Sequence, residues 1–418
     1  MRIAVITSDV HHQAGPAKVT AALVERLCEN HQVSVFSHNI EGIDLSKIKH
    51  YKVPAVTRPN FLAYLTFLVC STIILTALSF LRKRSFDIIH SAGCCCASSA
   101  NVITSHFCEK EGLRLERSNI IEMPHKSIRQ KLKVLDHSIY RRLAAFVEGV
   151  IIGRDSPKAL IVVSQSMKRE FARHYGDAAK NIIVIPNGVD TLRFHPTNRL
   201  LYRDQIRQKH VISSNDLVLM FAGGDWERKG VPHVIEALSL LLRPDVKLFI
   251  VGRGDEKFYS QLAELKLVRE RITFVSGKAN IWEYYAASDI FVFPTMYEPF
   301  GLVIVEAMAS GLPVITSRVA GAADLIIDGV NGLLLRAPSD VNGLAAKIES
   351  LLSNAGLRKT MGERARETAE KFSWDQVAQK TLEVYNTVLN RPDLERPWVS
   401  ALGEPQKNFH VAGHLRKP

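Results

Sequence analysis

Short apolar runs alternate with amphipathic stretches through most of this chain. The apolar runs, bounded by polar or turn residues, read as buried parallel strands; the stretches between them have the 3.6-residue period of helices. Predicted strands fall at residues 3–7, 33–36, 87–91, 101–105 and 160–163. A second set follows at 182–185, 217–222, 247–251, 272–275, 290–293 and 314–316. Helical patterns lie between them, for example at 17–29, 233–242, 281–287 and 301–310. Such alternation predicts an α/β fold of parallel sheets covered by helices.

The first series ends in the turn-rich Pro186-Asn187-Gly188-Val189-Asp190. A polar connection over 193–215 leads to residue 217, where a second strand–loop–helix series begins. Two facing Rossmann-like domains are therefore expected, 1–188 and 189–372, and no short period suggests a solenoid. Ser373 is placed to cap a last helix that reaches about Leu389. The proline-bearing tail 391–418 is expected to lack regular structure.

Residues 61–81 change the picture, because this apolar stretch followed by Arg82-Lys83-Arg84 has the length and flank of a membrane span. Strands are predicted on both sides of it, at 3–7 and 87–91. If those strands share one sheet, a span between them would place them on opposite sides of a bilayer. The segment is therefore read as a helix that packs on the sheet or lies at an interface.

Composition narrows the classes. Of 418 residues, 46% are hydrophobic and 23% charged, which excludes a disordered or fibrous chain. Lys and Arg outnumber Asp and Glu by 54 to 42, and the resulting +12 charge attracts anionic lipid headgroups, phosphorylated substrates or nucleic acid alike. Much of the excess sits in Arg82-Lys83-Arg84, in 126–133 and in Arg141-Arg142. The six cysteines include three in a row and no C-x-x-C pair, which favours free thiols over a metal site. No secretory signal precedes Met1-Arg2-Ile3, so a reducing cytoplasm is expected.

The candidate chemistry gathers in three loops. From Glu298 through Pro299, Phe300 and Gly301 to Glu306, a predicted strand runs through a loop into a helix start. Free N–H groups and the positive end of the helix dipole make that start a phosphate site, and Gly301 lets a ligand approach the backbone. Glu306 lies roughly 8 Å along the helix, at about 1.5 Å per residue. Two carboxylates so placed suit paired hydroxyls on either side of a diphosphate, a sugar at one end and a ribose at the other. Upstream, Phe221 to Gly230 ends a strand in two glycines and sets Arg228 and Lys229 before the next helix, where two cations would stabilise a departing diphosphate. In the first half, the loop from Ser8 through His11 and His12 to Gly15 joins strand to helix. His106 ends a strand at its carboxyl edge, and His90 closes another. No H-E-x-x-H, G-x-x-x-x-G-K-[ST] or G-x-S-x-G motif occurs.

These residues resemble glycosyltransferase family 4, retaining transferases of the GT-B fold, over roughly 1–390. Glu298 and Glu306 match that family's E-x(7)-E signature, and Gly223 to Gly230 its phosphate-clamp loop. The resemblance implies that Glu298 binds donor-sugar hydroxyls, that Phe300, Gly301 and Leu302 lend backbone contacts, and that Glu306 holds the ribose. It implies that Arg228 and Lys229 clamp the diphosphate, that His106 contacts the donor sugar near the reacting centre, and that Gly15 approaches the diphosphate from the other domain. The terminal helix would cross back onto the first domain. Gly223-Gly224-Asp225 stands where many members carry an arginine, which leaves more of the charge to Arg228.

The expected enzyme is a hexosyltransferase or N-acetylhexosaminyltransferase. It would take a nucleoside-diphosphate sugar as donor and a glycan or lipid-linked acceptor from cell-surface polysaccharide or lipopolysaccharide synthesis. Neither metal nor cofactor is expected, an anionic membrane surface is a candidate partner, and nucleic acid is not. Its expected place is the cytoplasm or the inner face of the membrane. Two rivals are a sugar-nucleotide epimerase, which would convert donor without acceptor, and a non-catalytic basic binding protein, indifferent to loss of Glu298 or Lys229.

Overall fold

The computed structural model describes residues 1–13, 15–80, 86–96, 100–118, 128–154, 157–179 and 181–390. The tail 391–418, the Arg82-Lys83-Arg84 run and residues 126–127 of the second basic run lie outside the described residues. The first half comprises β1 (Arg2–Ile6), α1 (Gly15–Asn30), β2 (Gln32–Ser37), β3 (Ile48–Lys52), α2 (Asn60–Phe80), β4 (Ile88–Ala92) and β5 (Val102–Ser105). It continues with α3 (Glu109–Ser118), α4 (Ile128–Arg154), β6 (Ala159–Val162), α5 (Gln165–Tyr175) and β7 (Ile182–Val184). The second half begins with α6 (Asn198–Lys209), β8 (Leu217–Ala222), α7 (Val231–Leu240), β9 (Val246–Gly252), α8 (Glu256–Leu265), β10 (Ile272–Ser276) and α9 (Ile281–Ala287). It ends with β11 (Ile290–Phe293), α10 (Leu302–Ala309), β12 (Val314–Ser317), β13 (Leu333–Leu335), α11 (Val341–Leu352), α12 (Ala355–Ala369) and α13 (Trp374–Leu389).

These strands form two parallel sheets, ordered β3-β2-β1-β4-β5-β6-β7 and β10-β9-β8-β11-β12-β13. Central strands such as β11 (Ile-Phe-Val-Phe) are buried on both faces, as a parallel sheet covered by helices requires. In each sheet the order reverses beside the first strand, between β1 and β4 and between β8 and β11. A crevice opens there beyond the carboxyl ends, the usual place for a ligand in such sheets. The fold is α/β, with two doubly wound domains.

The central strands coincide with the apolar runs, whereas the edge strands β3 and β13 do not follow from the pattern. The β3 sequence Ile-Lys-His-Tyr-Lys is half-exposed along its length, because an edge strand has a neighbour on one side only and carries charge there.

The polar stretch 193–215, expected to be a connection, contains the helix α6. α6 buries Arg207 beside one aliphatic residue, Ile206, too little for hydrophobic periodicity to mark it. Arg207 is 2% exposed and its guanidinium meets Asp289 Oδ2 at 2.7 Å, the Ala287 carbonyl at 3.0 Å and the Asp216 carbonyl at 2.8 Å.

Among the described residues α2 is the one helix long and apolar enough to cross a membrane. The strands that bracket it are hydrogen-bonded neighbours, Ile3 opposite Ile88, so both ends of the intervening chain return to one sheet. Phe67 and Leu75 pack with Ala4, Ile6 and Phe36, and Ser71 Oγ donates to the Cys95 carbonyl at 3.0 Å. The helix covers the sheet.

At the other end of the chain, Ser373 caps α13 in a reciprocal box with Gln376. The Val189 N–H donates to the Phe372 carbonyl at 2.9 Å, and Trp374, Tyr385 and Val388 pack among Ile3, Val5 and Val33. The last helix thus completes the first domain's core. His90 belongs to this seam: its Nδ1 lies 2.5 Å from Tyr385 Oη and its Nε2 2.7 Å from Thr104 Oγ1. Burial, with His106 nearby, pushes its imidazole down to about 3, so it is a neutral structural group. All six cysteines are free; burial pushes the Cys95 thiol up to about 12, which leaves it inert.

Candidate active site

The loop after β8 is shaped by its own sequence. Trp226 turns into the core, stacks on Phe274 and donates from Nε1 to the Gly223 carbonyl at 2.9 Å. Gly230 closes the loop at φ +88°, where a Cβ would lie 2.2 Å from the Pro294 carbonyl oxygen; only glycine lets the two loops touch. The loop after β11 is bound to the first one, because the Met296 N–H donates to the Arg228 carbonyl at 2.8 Å. Its far side is held by the Gly321 N–H on the Glu298 carbonyl at 2.8 Å and the Ala322 N–H on the Phe300 carbonyl at 2.7 Å. Gly301, at φ +97°, then starts α10.

Three charged side chains converge at this junction. Glu298 Oε2 lies 3.4 Å from Lys229 Nζ and 4.0 Å from Arg228 Nη1. Arg228 is fixed by Asp225 Oδ2 at 2.6 Å and by the Tyr297 carbonyl. Lys229 lies beside Gly223 and over the Phe293 ring, 5.6 Å from its centroid. Phe300 is buried and Leu302 half-buried. The first N–H groups of α10 have no partner within their own helix. Two cations and a helix start therefore surround the crevice at the β8–β11 switch, an arrangement suited to a diphosphate.

Glu306 sits one turn into α10, and the pattern of the sequence did not indicate what it meets. Its Oε1 is 2.7 Å from Lys18 Nζ, on α1 of the other domain, and its Oε2 is 3.4 Å from Tyr285 Oη. Lys18 is three residues after Gly15 in the first turn of α1; a lysine near a helix start, opposed to the dipole, is the one hint the sequence held. Gly15 opens α1 at φ +62°, with no atom within 4 Å of where a Cβ would stand. His106 follows β5, half-buried, and burial pushes its imidazole down to about 4, so it is neutral near pH 7. His12 is paired with Glu25 Oε1 at 3.0 Å, and His11 Nδ1 accepts from the Gln13 N–H at 3.3 Å.

The domains also meet directly beside Glu298. Ser164 Oγ donates to the Pro299 carbonyl at 2.7 Å, the Gln165 N–H donates to Asp324 Oδ2 at 2.7 Å, and Tyr297 Oη donates to Glu170 Oε2 at 3.1 Å. Burial pushes the Glu170 carboxyl up to about 7, against the Tyr297 hydrogen bond, which favours the carboxylate. The raised value means that the contribution of Glu170 is fully present below the ordinary carboxylate pKa and is lost as pH rises through about 7. Glu170→Gln is therefore expected to gain stability relative to the parent between pH 5 and pH 8. Paired denaturant titrations check this; a stability difference that does not change with pH would refute it.

Known proteins share both halves of this chain. Residues 14–193 match the family model described as Glycosyltransferase Family 4, and residues 202–368 match Glycosyl transferases group 1. An uncharacterized glycosyltransferase of Methanocaldococcus jannaschii is 27% identical over 408 residues, 93% of this chain and 99% of that one. The lipopolysaccharide glucosyltransferase WaaG of Escherichia coli is 30% identical over 250 residues, 59% of this chain and 67% of that one. The crystal structure of WaaG superposes with a TM-score of 0.73 at 24% identity, covering 92% of this chain and 99% of that chain. Anabaena HepE in complex with UDP-glucose shares the fold with a TM-score of 0.65 at 20% identity, covering 93% and 100%. Two matched models that between them span both domains, and a fold shared with GT-B transferases, place the chain in glycosyltransferase family 4, among the group 1 glycosyltransferases.

Proposed function

We propose that this enzyme moves a hexose or N-acetylhexosamine, with retention, from a nucleoside-diphosphate sugar to a glycan or lipid-linked acceptor of the cell envelope. It would act in the cytoplasm at the inner face of the membrane. The observation that carries the reading is the convergence of Arg228, Lys229 and Glu298 at the switch point of the second sheet. The two cations neutralise the diphosphate as the bond from the anomeric carbon to phosphate oxygen breaks. The acceptor hydroxyl forms the new bond on the same face and passes its proton to the departing phosphate oxygen. Glu298 holds donor-sugar hydroxyls, and neutral His106 contacts the sugar near the reacting carbon. Because fixed cations supply the counter-charge, no divalent ion enters the proposed reaction.

Glu306 takes the ribose hydroxyls in this reading, so donor binding has to displace or share Lys18. The lipopolysaccharide role printed for WaaG supports a cell-envelope acceptor, and the UDP-glucose bound to HepE makes that donor the first to test. In a thermal-shift screen of UDP-, GDP- and ADP-sugars, one donor is expected to stabilise the fold by about 2.7 kcal/mol at a hundredfold excess over Kd. Transfer of its sugar should persist in EDTA, and Glu306→Ala should weaken donor binding. A fold indifferent to every nucleotide sugar, or transfer abolished by EDTA, would defeat the proposal.

A further inference from the structure

Among the described residues, three that are not glycine have a positive φ: Val211 at +55°, Asp225 at +53° and Leu267 at +58°. Two of them have a local cause. Val211 and Leu267 each come directly after the cap residue that ends a helix, His210 of α6 and Lys266 of α8, where the chain commonly turns left-handed. Asp225 has no such cause. It follows Gly223 and Gly224 at the end of β8, with no helix before it. A side chain in this region is held against backbone strain, even for aspartate, which tolerates it better than most residues. Glycine would adopt the same φ freely. Residues strained in this way cluster where a loop serves a ligand.

What aspartate adds at this position is a carboxylate aimed at a neighbouring cation. Asp225 Oδ2 accepts from Arg228 Nε at 2.6 Å. At the outer end of the same guanidinium, Nη1 donates to the Tyr297 carbonyl and lies 4.0 Å from Glu298 Oε2. The group is thus gripped at its inner edge and directed at its outer edge toward Glu298. The backbone of Asp225 reaches the second cation, because its carbonyl accepts from the Lys229 N–H at 3.1 Å. Trp226, buried in the core, pins the next position through its bond to the Gly223 carbonyl. Stability does not account for the ion pair. The Asp225 and Arg228 side chains are 55% and 35% exposed, and pairs so open to water contribute little to a fold. Orientation does account for it: an arginine has several rotatable bonds, and a fixed contact at Nε removes freedom that a ligand would otherwise have to remove.

We infer that Asp225 is a positioning residue for the transfer, one that presents the outer edge of the Arg228 guanidinium to the donor diphosphate. This rests on the proposed function for the identity of the ligand, and it adds a side chain that acts on the reaction only through Arg228. The probes are inorganic pyrophosphate, which carries the charge that the departing diphosphate develops, and steady-state sugar transfer. Asp225→Gly frees the φ and removes the carboxylate while keeping the carbonyl that holds Lys229. It should melt no lower than the parent. It should bind pyrophosphate about tenfold more weakly by calorimetry and lose about tenfold in kcat/KM, mostly in kcat. Asp225→Asn, which tolerates the same φ and keeps an oxygen to face Nε, should lie between the two. In an Arg228→Met background, Asp225→Gly should cause no further loss of either quantity. Unchanged pyrophosphate affinity in Asp225→Gly, an equal loss with and without Arg228, or a parent that binds no pyrophosphate would overturn the assignment. So would losses across the three variants that simply follow their melting temperatures. Pyrophosphate binding that depends on Asp225, without transfer from any nucleotide sugar, would sink the transferase reading alone. Transfer indifferent to Asp225 would sink the positioning role alone.

Discussion

Replacing Lys229 by alanine is expected to lower kcat/KM for sugar transfer by about 10²- to 10³-fold, the loss typical when one preorganised group facing developing charge is removed. Lys229 is held between Glu298 Oε2 at 3.4 Å and the Phe293 ring, 17% exposed, in a loop pinned by Trp226. Its ammonium needs little rearrangement to meet a phosphate, and low exposure limits screening by water. The loss should fall mainly on kcat, because charge on the diphosphate grows as the sugar leaves. Lys229→Arg should recover part of it, and the melting temperature should barely move. Lys229→Ala combined with Glu298→Gln should be less damaging than the product of the single losses, since the two groups touch one another and serve one ligand. Steady-state kinetics of the variants decide this; a variant with kcat/KM within a few-fold of the parent would remove Lys229 from the reaction.

The second large effect concerns stability. Arg207→Ala is expected to cost about 3–5 kcal/mol, the usual consequence of breaking a buried ion pair by removing one partner. Asp289 would keep Arg199, whose Nη2 lies 2.5 Å from Oδ1, and the Val218 N–H at 2.8 Å from Oδ2. It would lose the guanidinium that meets Oδ2, and the Ala287 and Asp216 carbonyls would lose their donors. Burial alone would raise the Asp289 carboxyl; Arg199 and Arg207 outweigh it and hold the group below its ordinary range. Its contribution is therefore present above the ordinary aspartate pKa and lost as pH falls through the depressed one. The damage should accordingly be largest near neutral pH and shrink in acid. Arg207→Met with Asp289→Asn should be milder than Arg207→Ala, because no buried carboxylate is left with part of its counter-charge removed. Guanidinium titrations of the parent and the two variants check the order; a loss below about 1 kcal/mol for Arg207→Ala would contradict the assignment.

The contacts across the cleft connect these local facts to motion. Lys18 to Glu306, Ser164 to Pro299 and Tyr297 to Glu170 join the domains on both sides of the diphosphate loops. The acidic residue expected to receive the ribose already holds a lysine of the opposite domain. Donor entry and domain opening thus involve the same side chain, and closure over the donor would exclude water from the transfer.

Much of the architecture was legible in the order of residues, because its signals are local. A doubly buried strand such as β11 needs consecutive apolar residues, and a tight loop into a helix start needs glycine where φ turns positive, as at Gly230 and Gly301. The strand–loop–helix around Glu298 and the cation pair at 228–229 could be located from those marks alone. The last helix likewise announced itself through Ser373.

What only the tertiary structure decided are pairings between residues far apart in the chain. Arg207 meets Asp289 82 residues away, Lys18 meets Glu306 288 away, and His90 meets Tyr385 295 away. Periodicity reports which face of an element is apolar, so it missed α6, whose buried anchor is a cation, and β3, whose edge place lets it stay polar. A side chain's role at such a contact depends on what the fold carries to it. Sequence order therefore determined the two-sheet plan and its glycine-bearing loops, and folding decided which distant charges stand together.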